Sequence, residues 1–261
     1  DFGNIRLPAA SGTGLKVQEG KFVTAEAMET LLQGSTEGIR PAVRQGKNEA
    51  GNIWPLFPTE PGGPALADRE PKVGLARENE KRTARLGMLY AIAPIRPRKE
   101  VGLAVGVTGL APSHQPSGQW VQRLGGEGKL ALIKVGDTLE WPPTKPTLHS
   151  HDGRVRFKLV LTTPASLPVG GWLPEGFTKV ERDGITVWLG VLREVVVTLI
   201  AACVGKPVKI GGWDLANGQP RDLTPFVPAG SVYFCEARAE DREKVSALHG
   251  TQIRRQVEYG F

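Results

Sequence analysis

Cysteine, histidine, tyrosine and methionine are all scarce here: the 261 residues hold two Cys, four His, three Tyr and two Met. Cys203 and Cys235 both sit in apolar, strand-like contexts, and no Cys-x-x-Cys spacing exists. Two cysteines cannot build a structural zinc site, and a chain of this length needs no disulfide staple. They read as reduced core thiols of a cytoplasmic protein. No apolar run approaches the ~18–20 residues of a membrane span, and no signal-peptide pattern is present. The first residue is Asp1 rather than Met, so the chain reads as a piece of a longer protein.

Catalytic motifs are missing too. There is no Gly-x-Ser-x-Gly elbow, no Walker A loop and no dinucleotide fingerprint. Gly125-Gly126-Glu127-Gly128-Lys129 resembles a phosphate-cradling loop only superficially, because no Ser or Thr follows the lysine. Its glycines can still bring backbone N–H groups close to a phosphate. Among the histidines, His149 and His151 form the one close pair, in Leu148-His149-Ser150-His151-Asp152-Gly153. With no further ligand nearby they read as a polar turn entering a strand rather than a metal site. His114 lies in a Pro-Ser loop without a partner, whereas RNA cleavage needs a base, an acid and a group that stabilises phosphorane charge. His249 follows a helix and suits its C-terminal dipole. The expectation is a protein with no catalytic residue, no metal and no cofactor.

Basic charge, glycine and proline are plentiful. The net charge is +6, with 33 Gly and 21 Pro. Residues 69–99 hold nine Lys/Arg (Arg69, Lys72, Arg77, Lys81, Arg82, Arg85, Arg96, Arg98, Lys99) against Glu70, Glu78 and Glu80. That difference equals the surplus of the whole chain. Charge concentrated around an irregular segment favours a polyanionic partner over a merely solvated face.

Along the chain, Thr24 to Gly34 reads as a helix with Thr24 as N-cap and Gly34 as stop. Ser35 to Pro71 lacks periodicity and reads as a partly flexible insertion (about 35–71). Val73 to Ala76 reads as a strand, Arg77 to Arg85 as a basic loop, and Gly87 to Arg96 as an edge strand. Val101 to Thr108 and Lys129 to Val135 are further expected strands, with one helical turn at Trp120 to Leu124. Trp141-Pro142-Pro143-Thr144-Lys145-Pro146 reads as a stiff linker. This gives two domains, 1–140 and 147–261. In the second, Val155 to Thr162 is a strand and the Pro/Gly-rich crossover after it reads as irregular. Ala239 to Leu248 is a helix, and Ile253 to Phe261 a returning strand.

The most informative stretch is Val191 to Ala237. Val195 to Cys203 is a β-branched, nearly uncharged run, read as a strand buried on both faces. Val208 and Ile210 open a short strand into Gly211-Gly212-Trp213-Asp214. Asn217-Gly218 marks a turn, a Pro-rich loop follows, and Ser231 to Glu236 forms a third strand. Strand, crossover, strands, helix, strand is the βαββαβ order of a ferredoxin-like unit.

The blocks Gly205-Lys206-Pro207-Val208-Lys209-Ile210-Gly211-Gly212-Trp213-Asp214 and Pro228-Ala229-Gly230-Ser231-Val232-Tyr233-Phe234 carry a family resemblance. So, in the same order, do Pro71 to Arg77, Gly87 to Tyr90 and Leu124 to Lys129. The chain resembles the third-subunit family of the Cmr complex, the type III-B CRISPR effector, within the RAMP superfamily of guide-RNA-binding proteins. Matching blocks run from roughly Glu19 to Phe261; the family's first strand, Arg-containing loop and Pro-rich loop before a helix are not found. The resemblance implies an α+β protein of two ferredoxin-like (RRM-like) units with long Gly/Pro-rich insertions, the first unit incomplete.

It also implies a non-catalytic subunit that grips the 5′ repeat-derived tag of CRISPR RNA. Such a subunit would touch the large polymerase-like subunit and the backbone subunits, and meet target RNA only indirectly. Phosphate contacts are then expected from Arg77, Lys81, Arg82 and Arg85, and a close backbone approach from Gly125, Gly126 and Lys129. Lys209 is a further contact. Trp213 is read either as a base-stacking platform or as a plug beneath the Pro225 to Pro228 loop. The rival reading is a RAMP endoribonuclease processing precursor CRISPR RNA through His114 or the His149/His151 pair.

Overall fold

The computed structural model describes residues 20–42, 51–107, 109–126, 128–136, 145, 147–167, 171–214 and 216–251. They fall into two units, one built within 18–31 and 35–143, the other within 32–34 and 144–261.

In the first unit, β1 (Lys21–Val23) leads into α1 (Ala25–Leu32). Thr24 caps the helix: the Ala27 N–H donates to Thr24 Oγ1 at 3.3 Å. Gly34, at φ +88°, releases the chain. Within the expected insertion at 35–71, the described residues 35–42 and 51–71 are tied by hydrogen bonds and strand pairing. Asn52 Oδ1 accepts the Arg40 N–H at 2.7 Å, β2 (Ile53–Pro55) pairs with β1, and β3 (Ala67–Arg69) is a further strand. Proline breaks long periodic patterns, but the backbone donors and acceptors between prolines still need partners.

Further along, β4 (Lys72–Glu78) and β5 (Thr83–Ile92) form an antiparallel hairpin, and β6 (Ile95–Pro97) pairs with β3. The expected Arg77–Arg85 loop is therefore the closed end of this hairpin, with Arg77 and Arg85 on the strands themselves. Gly74 faces Tyr90 across the ladder, where the tyrosine ring occupies the space a Cβ would need. β7 (Gln119–Arg123) and β8 (Leu130–Lys134) make another hairpin, Trp120 opposite Ile133. The helical turn expected at Trp120–Leu124 is thus a strand, because five residues of cross-strand pairing outweigh one unsupported turn. The strand expected over Val101–Thr108 does not form within 101–107. Gly102 and Gly106 weaken it, and no strand pairs with it among the described residues.

Each of these pairs is a separate two-stranded sheet. Among the described residues, the unit's buried ones are small: Ala27, Gly51, Pro55, Gly63, Ala65 and Ala67. Leu86, Leu103 and Val105 stand almost fully in solvent.

The second unit has the large core. Its elements are β9 (Ser150–His151), β10 (Arg154–Val160), β11 (Thr178–Arg182), β12 (Ile185–Leu192), β13 (Val195–Cys203), β14 (Val208–Asp214), β15 (Gln219–Phe226), β16 (Val232–Arg238) and α2 (Arg242–Ala247). Six of the strands form one antiparallel sheet in the order β11-β12-β13-β16-β10-β9. Asp183-Gly184 joins β11 to β12 and Asp152-Gly153 joins β9 to β10, both residues of each pair at positive φ. Two-residue hairpins with a primed turn demand that conformation. The crossover expected to be irregular therefore contains a hairpin, whose signal was the Asp-Gly pair.

One sheet face carries Val155, Val197, Leu199 and Cys235 into the core, where Val245 and Leu248 of the α2 region also lie. Trp172 packs edge-on against Trp188 (5.2 Å between ring centres) and stacks on Tyr233 (6.4 Å). Tyr233 is fully buried, yet its hydroxyl donates to the Trp172 carbonyl at 2.6 Å. Burial pushes its phenol pKa upward and raises that of the Cys235 thiol to about 12.

Three sequence expectations need correction. β13 is buried on one face only: Val195, Val197 and Leu199 are inside while Val196 is 47% exposed. Cys203, at the strand's end, is exposed rather than a core thiol. The expected Pro-rich loop before β16 is also largely a strand, β15, paired with β14. The Trp141–Pro146 linker, Lys145 apart, and the expected strand at Ile253–Phe261 lie outside the described residues.

Candidate nucleic-acid interface

The nine basic residues of 69–99 divide sharply by use. Arg98 is structural: its Nε and Nη2 donate to both Asp68 carboxylate oxygens at 2.9 and 2.7 Å, and its Nη1 to the Gly63 carbonyl at 2.8 Å. That fork holds the Asp68 carboxyl below its ordinary pKa. Arg96 pairs with Glu70 at 2.5 Å, and the Arg69 guanidinium lies 4.3 Å from the Phe57 ring centre.

The β4–β5 hairpin end is different. Arg77, Lys81, Arg82 and Arg85 are all exposed there. Arg77 sits opposite Ala84, and the turn spans Asn79 to Arg82, with Arg82 at φ +55°. Between the pairs Leu75↔Leu89 and Arg77↔Ala84, β5 runs through Arg85–Met88 where β4 has only Ala76. This bulge throws Arg85 outward beside the turn. Lys81 lies 3.5 Å from Glu78, both well exposed. Arg77, Arg82 and Arg85 have no ion pair or side-chain hydrogen bond among the described residues. The hairpin end is therefore a cationic tip whose three arginines are not spent internally, with Lys81 in a solvent-exposed pair with Glu78.

Gly125, Gly126 and Lys129 occupy the turn of the β7–β8 hairpin. The Lys129 N–H donates to the Gly126 carbonyl at 3.3 Å and the Leu124 N–H to the Lys129 carbonyl at 3.0 Å. Gly125 and Gly128 hold positive φ. Lys209 and Trp213 lie on β14, on either side of a bulge at Gly211-Gly212, where Gly212 has φ +150°. Asp214 fixes the turn beyond, accepting from the Ala216 N–H at 2.9 Å and the Asn217 Nδ2 at 2.8 Å. Trp213 is 57% exposed, so it is not a plug under a loop. The nominated residues thus lie on three separate hairpins, two in the first unit and one in the second.

His114 ends an exposed 3-10 turn, Pro112–His114. His151 Nε2 lies 2.9 Å from Asp152 Oδ2 on the surface. No three metal-ligating side chains gather among the described residues, and no helix is long and apolar enough to cross a membrane.

One cluster escaped the sequence reading. Glu236, on β16, is buried yet charged, with Arg156 Nε at 3.0 Å, Arg182 Nη2 at 3.0 Å and Arg154 Nη1 at 3.3 Å. Burial alone would raise its pKa; the hydrogen bonds from Arg156 and Arg182 and the attraction of Arg182 and Arg154 outweigh it and hold the carboxyl below its ordinary value. The overlooked signal was the alternation Arg154-Val155-Arg156-Phe157-Lys158-Leu159, a strand with one cationic face.

Comparison with known proteins places this chain in a family. No curated protein sequence matches the chain. Among solved structures, similarity is found to a chain of the type III-B Cmr-beta bound to cognate target RNA and AMPPnP, at 17% identity and a TM-score of 0.41, covering 75% of this chain and 52% of that one. A second, of the same assembly bound to cognate target RNA, gives 17% identity and a TM-score of 0.39, covering 75% and 51%. The chain thus spans about half the length of those relatives. The family described as CRISPR-associated protein (Cas_Cmr3) matches residues 4–261, nearly the whole sequence, and the chain belongs to that family.

Proposed function

We propose that this chain is a non-catalytic, RNA-binding subunit of a type III-B Cmr effector complex. It holds the 5′ repeat-derived tag of the CRISPR RNA and bridges the large subunit to the backbone subunits. The observation that carries the RNA contact is the β4–β5 tip, where Arg77, Lys81, Arg82 and Arg85 stand exposed while neighbouring Arg96 and Arg98 are consumed by ion pairs. Phosphate contacts of this kind position a single strand without reading its bases. Exposed Trp213 offers a stacking surface of the kind that holds an unpaired base.

Membership of a multisubunit assembly is supported by the first unit's poor enclosure. Two-stranded hairpins are marginal by themselves in water, and here Val73, Leu75, Leu89, Val121 and Leu132 are each more than half exposed. Apolar surface on that scale fits protein neighbours.

The second unit is proposed to be ferredoxin-like. Its strands β13, β16 and β10 stand side by side in that order, the arrangement of strands 2, 3 and 1 in a ferredoxin-like sheet, with α2 following β16. The test is to purify the tagged chain from its own cells, identify co-purifying proteins by mass spectrometry and sequence the bound RNA. CRISPR RNAs protected at a common repeat-derived 5′ end, with the other effector subunits, are expected. Recovery of unprocessed repeat RNA or of no RNA overturns the reading.

A further inference from the structure

The register of the six-stranded sheet sets Arg156 opposite Glu236, Glu236 opposite Thr198, Thr198 opposite Leu189 and Leu189 opposite Thr178. These residues and their i±2 neighbours share the face turned away from the core. Arg154, Arg156, Lys158 and Arg182 stand on it with the strand carboxylate of Glu236, and so does Arg238, which pairs instead with Glu240 at 3.2 Å. Arg182 is three strands from Glu236 in the sheet order. Arg182 also stands four residues along β11 from Thr178, the residue on Glu236's row, so at ~4.8 Å per strand and ~3.3 Å per residue a flat sheet would put the two ~19 Å apart at the backbone, beyond the combined reach of an arginine and a glutamate side chain. Yet Arg182 Nη2 lies 3.0 Å from Glu236 Oε2, so the sheet curls and this face is concave.

Glu236 is the floor of the hollow. Its side chain is 9% exposed, whereas those of Arg154, Arg156 and Arg182 are 46%, 65% and 35% exposed. Each arginine gives this carboxylate one N–H and has others left to offer, since a guanidinium carries five. One buried carboxylate thus orients three half-open guanidinium groups and leaves the group with two net positive charges. Arg154, Arg156 and Lys158 follow one another at every second residue of β10, about 6.6 Å apart. Cations repeating in a row suit a ligand whose charges also repeat, not a lone anion.

We infer that the concave face of the second unit is a phosphodiester-binding surface for single-stranded RNA, in which Glu236 positions Arg154, Arg156 and Arg182 on successive phosphates. This goes beyond the tag-binding reading: it uses none of the hairpin residues and belongs to the other unit. Arginine is the suited residue, because its planar fork meets two phosphate oxygens at once. The one aromatic residue of the face among the described residues, Phe234 opposite Lys158, is half-buried in the sheet, so the contact is chiefly to the backbone and indifferent to sequence.

Fluorescence anisotropy of the full chain with a labelled single-stranded oligouridylate, across a salt series, tests the inference. Arg156→Ala is expected to weaken binding about tenfold, as loss of one charge-assisted contact does. The triple change Arg154→Ala/Arg156→Ala/Arg182→Ala is expected to flatten the log–log salt dependence by about 2, at ~0.7 per single-strand contact. The discriminating variant is Glu236→Gln. It removes a negative charge, so a diffuse basic patch would bind more tightly; a positioned site loses affinity instead. Arg156→Lys keeps the charge and the fold but not the fork, and is likewise expected to lose affinity.

Tighter binding by Glu236→Gln, or unchanged binding by the arginine variants, overturns the inference. So does loss of affinity for a polyglutamate peptide with affinity for RNA intact, which would make the face a protein-docking surface. Substitutions at the β4–β5 tip, measured in parallel, separate failure here from failure of the tag-binding reading.

Discussion

Arg156 on β10 faces Glu236 on β16 directly across the ladder, its Nε 3.0 Å from Glu236 Oε1, in a pairing that is solvent-facing for the arginine and buried for the carboxylate. The asymmetry makes Glu236 dependent on its three arginines, since an uncompensated buried carboxylate is costly.

Acid stability follows from that dependence. The folded-state pKa of Glu236 is depressed, so the folded protein binds fewer protons at this site than the unfolded chain. Its contribution is complete above the unfolded value of about 4.3 and drains as pH falls through the folded value. Thermal melts of the wild type and Glu236→Gln are expected to differ at pH 7 and converge as the pH drops below about 4. A difference independent of pH contradicts the assignment.

Gly190→Ala should destabilise the second unit. Gly190 lies opposite Val197, and the Phe177 ring fills the space its Cβ would occupy. Overpacking of this kind costs about 1–3 kcal/mol, readable as a fall in melting temperature. An unchanged melting temperature would show that Phe177 moves aside freely.

Much of the second unit was legible in sequence because its signals are local. The β-branched run Val195–Cys203 is a strand and Asn217-Gly218 lies in the turn of the β14–β15 hairpin, as in the first unit Thr24 is the helix cap. Errors came where pairing partners decide the outcome. Trp120–Arg123 forms a strand because Leu130–Ile133 lies beside it, whereas the more apolar Val101–Val107 has no such neighbour among the described residues. The basic tip could be seen as composition, but which cations are spent could not. Arg98 finds Asp68 only through the β3–β6 pairing. Glu236 was invisible because its arginines come from positions 54 to 82 residues away.

Trp213→Ala should leave stability nearly unchanged, since the ring is 57% exposed. Binding to tag RNA should weaken by about 1–3 kcal/mol if a base stacks there, with the salt slope intact. A large fall in melting temperature with affinity unaltered would instead give Trp213 a structural role.

The chain should not cut RNA. His114 and His151 are both surface residues, one ending a 3-10 turn and the other beside Asp152. Incubation with repeat RNA, with and without Mg²⁺, should leave it intact. A defined cut abolished by His114→Ala would support the endoribonuclease reading.

The β4–β5 tip is proposed to hold the RNA backbone. Four phosphate contacts at ~0.7 each predict a contribution of about −3 to the log–log salt slope. The decisive measurement is the salt dependence of tag-RNA affinity for the folded variant with Arg77, Lys81, Arg82 and Arg85 all replaced by Ala. A slope flattened by about 3, with base preference unchanged, is the predicted result. A slope equal to that of the wild type would mean that the tip faces solvent or a protein partner and that the RNA lies elsewhere.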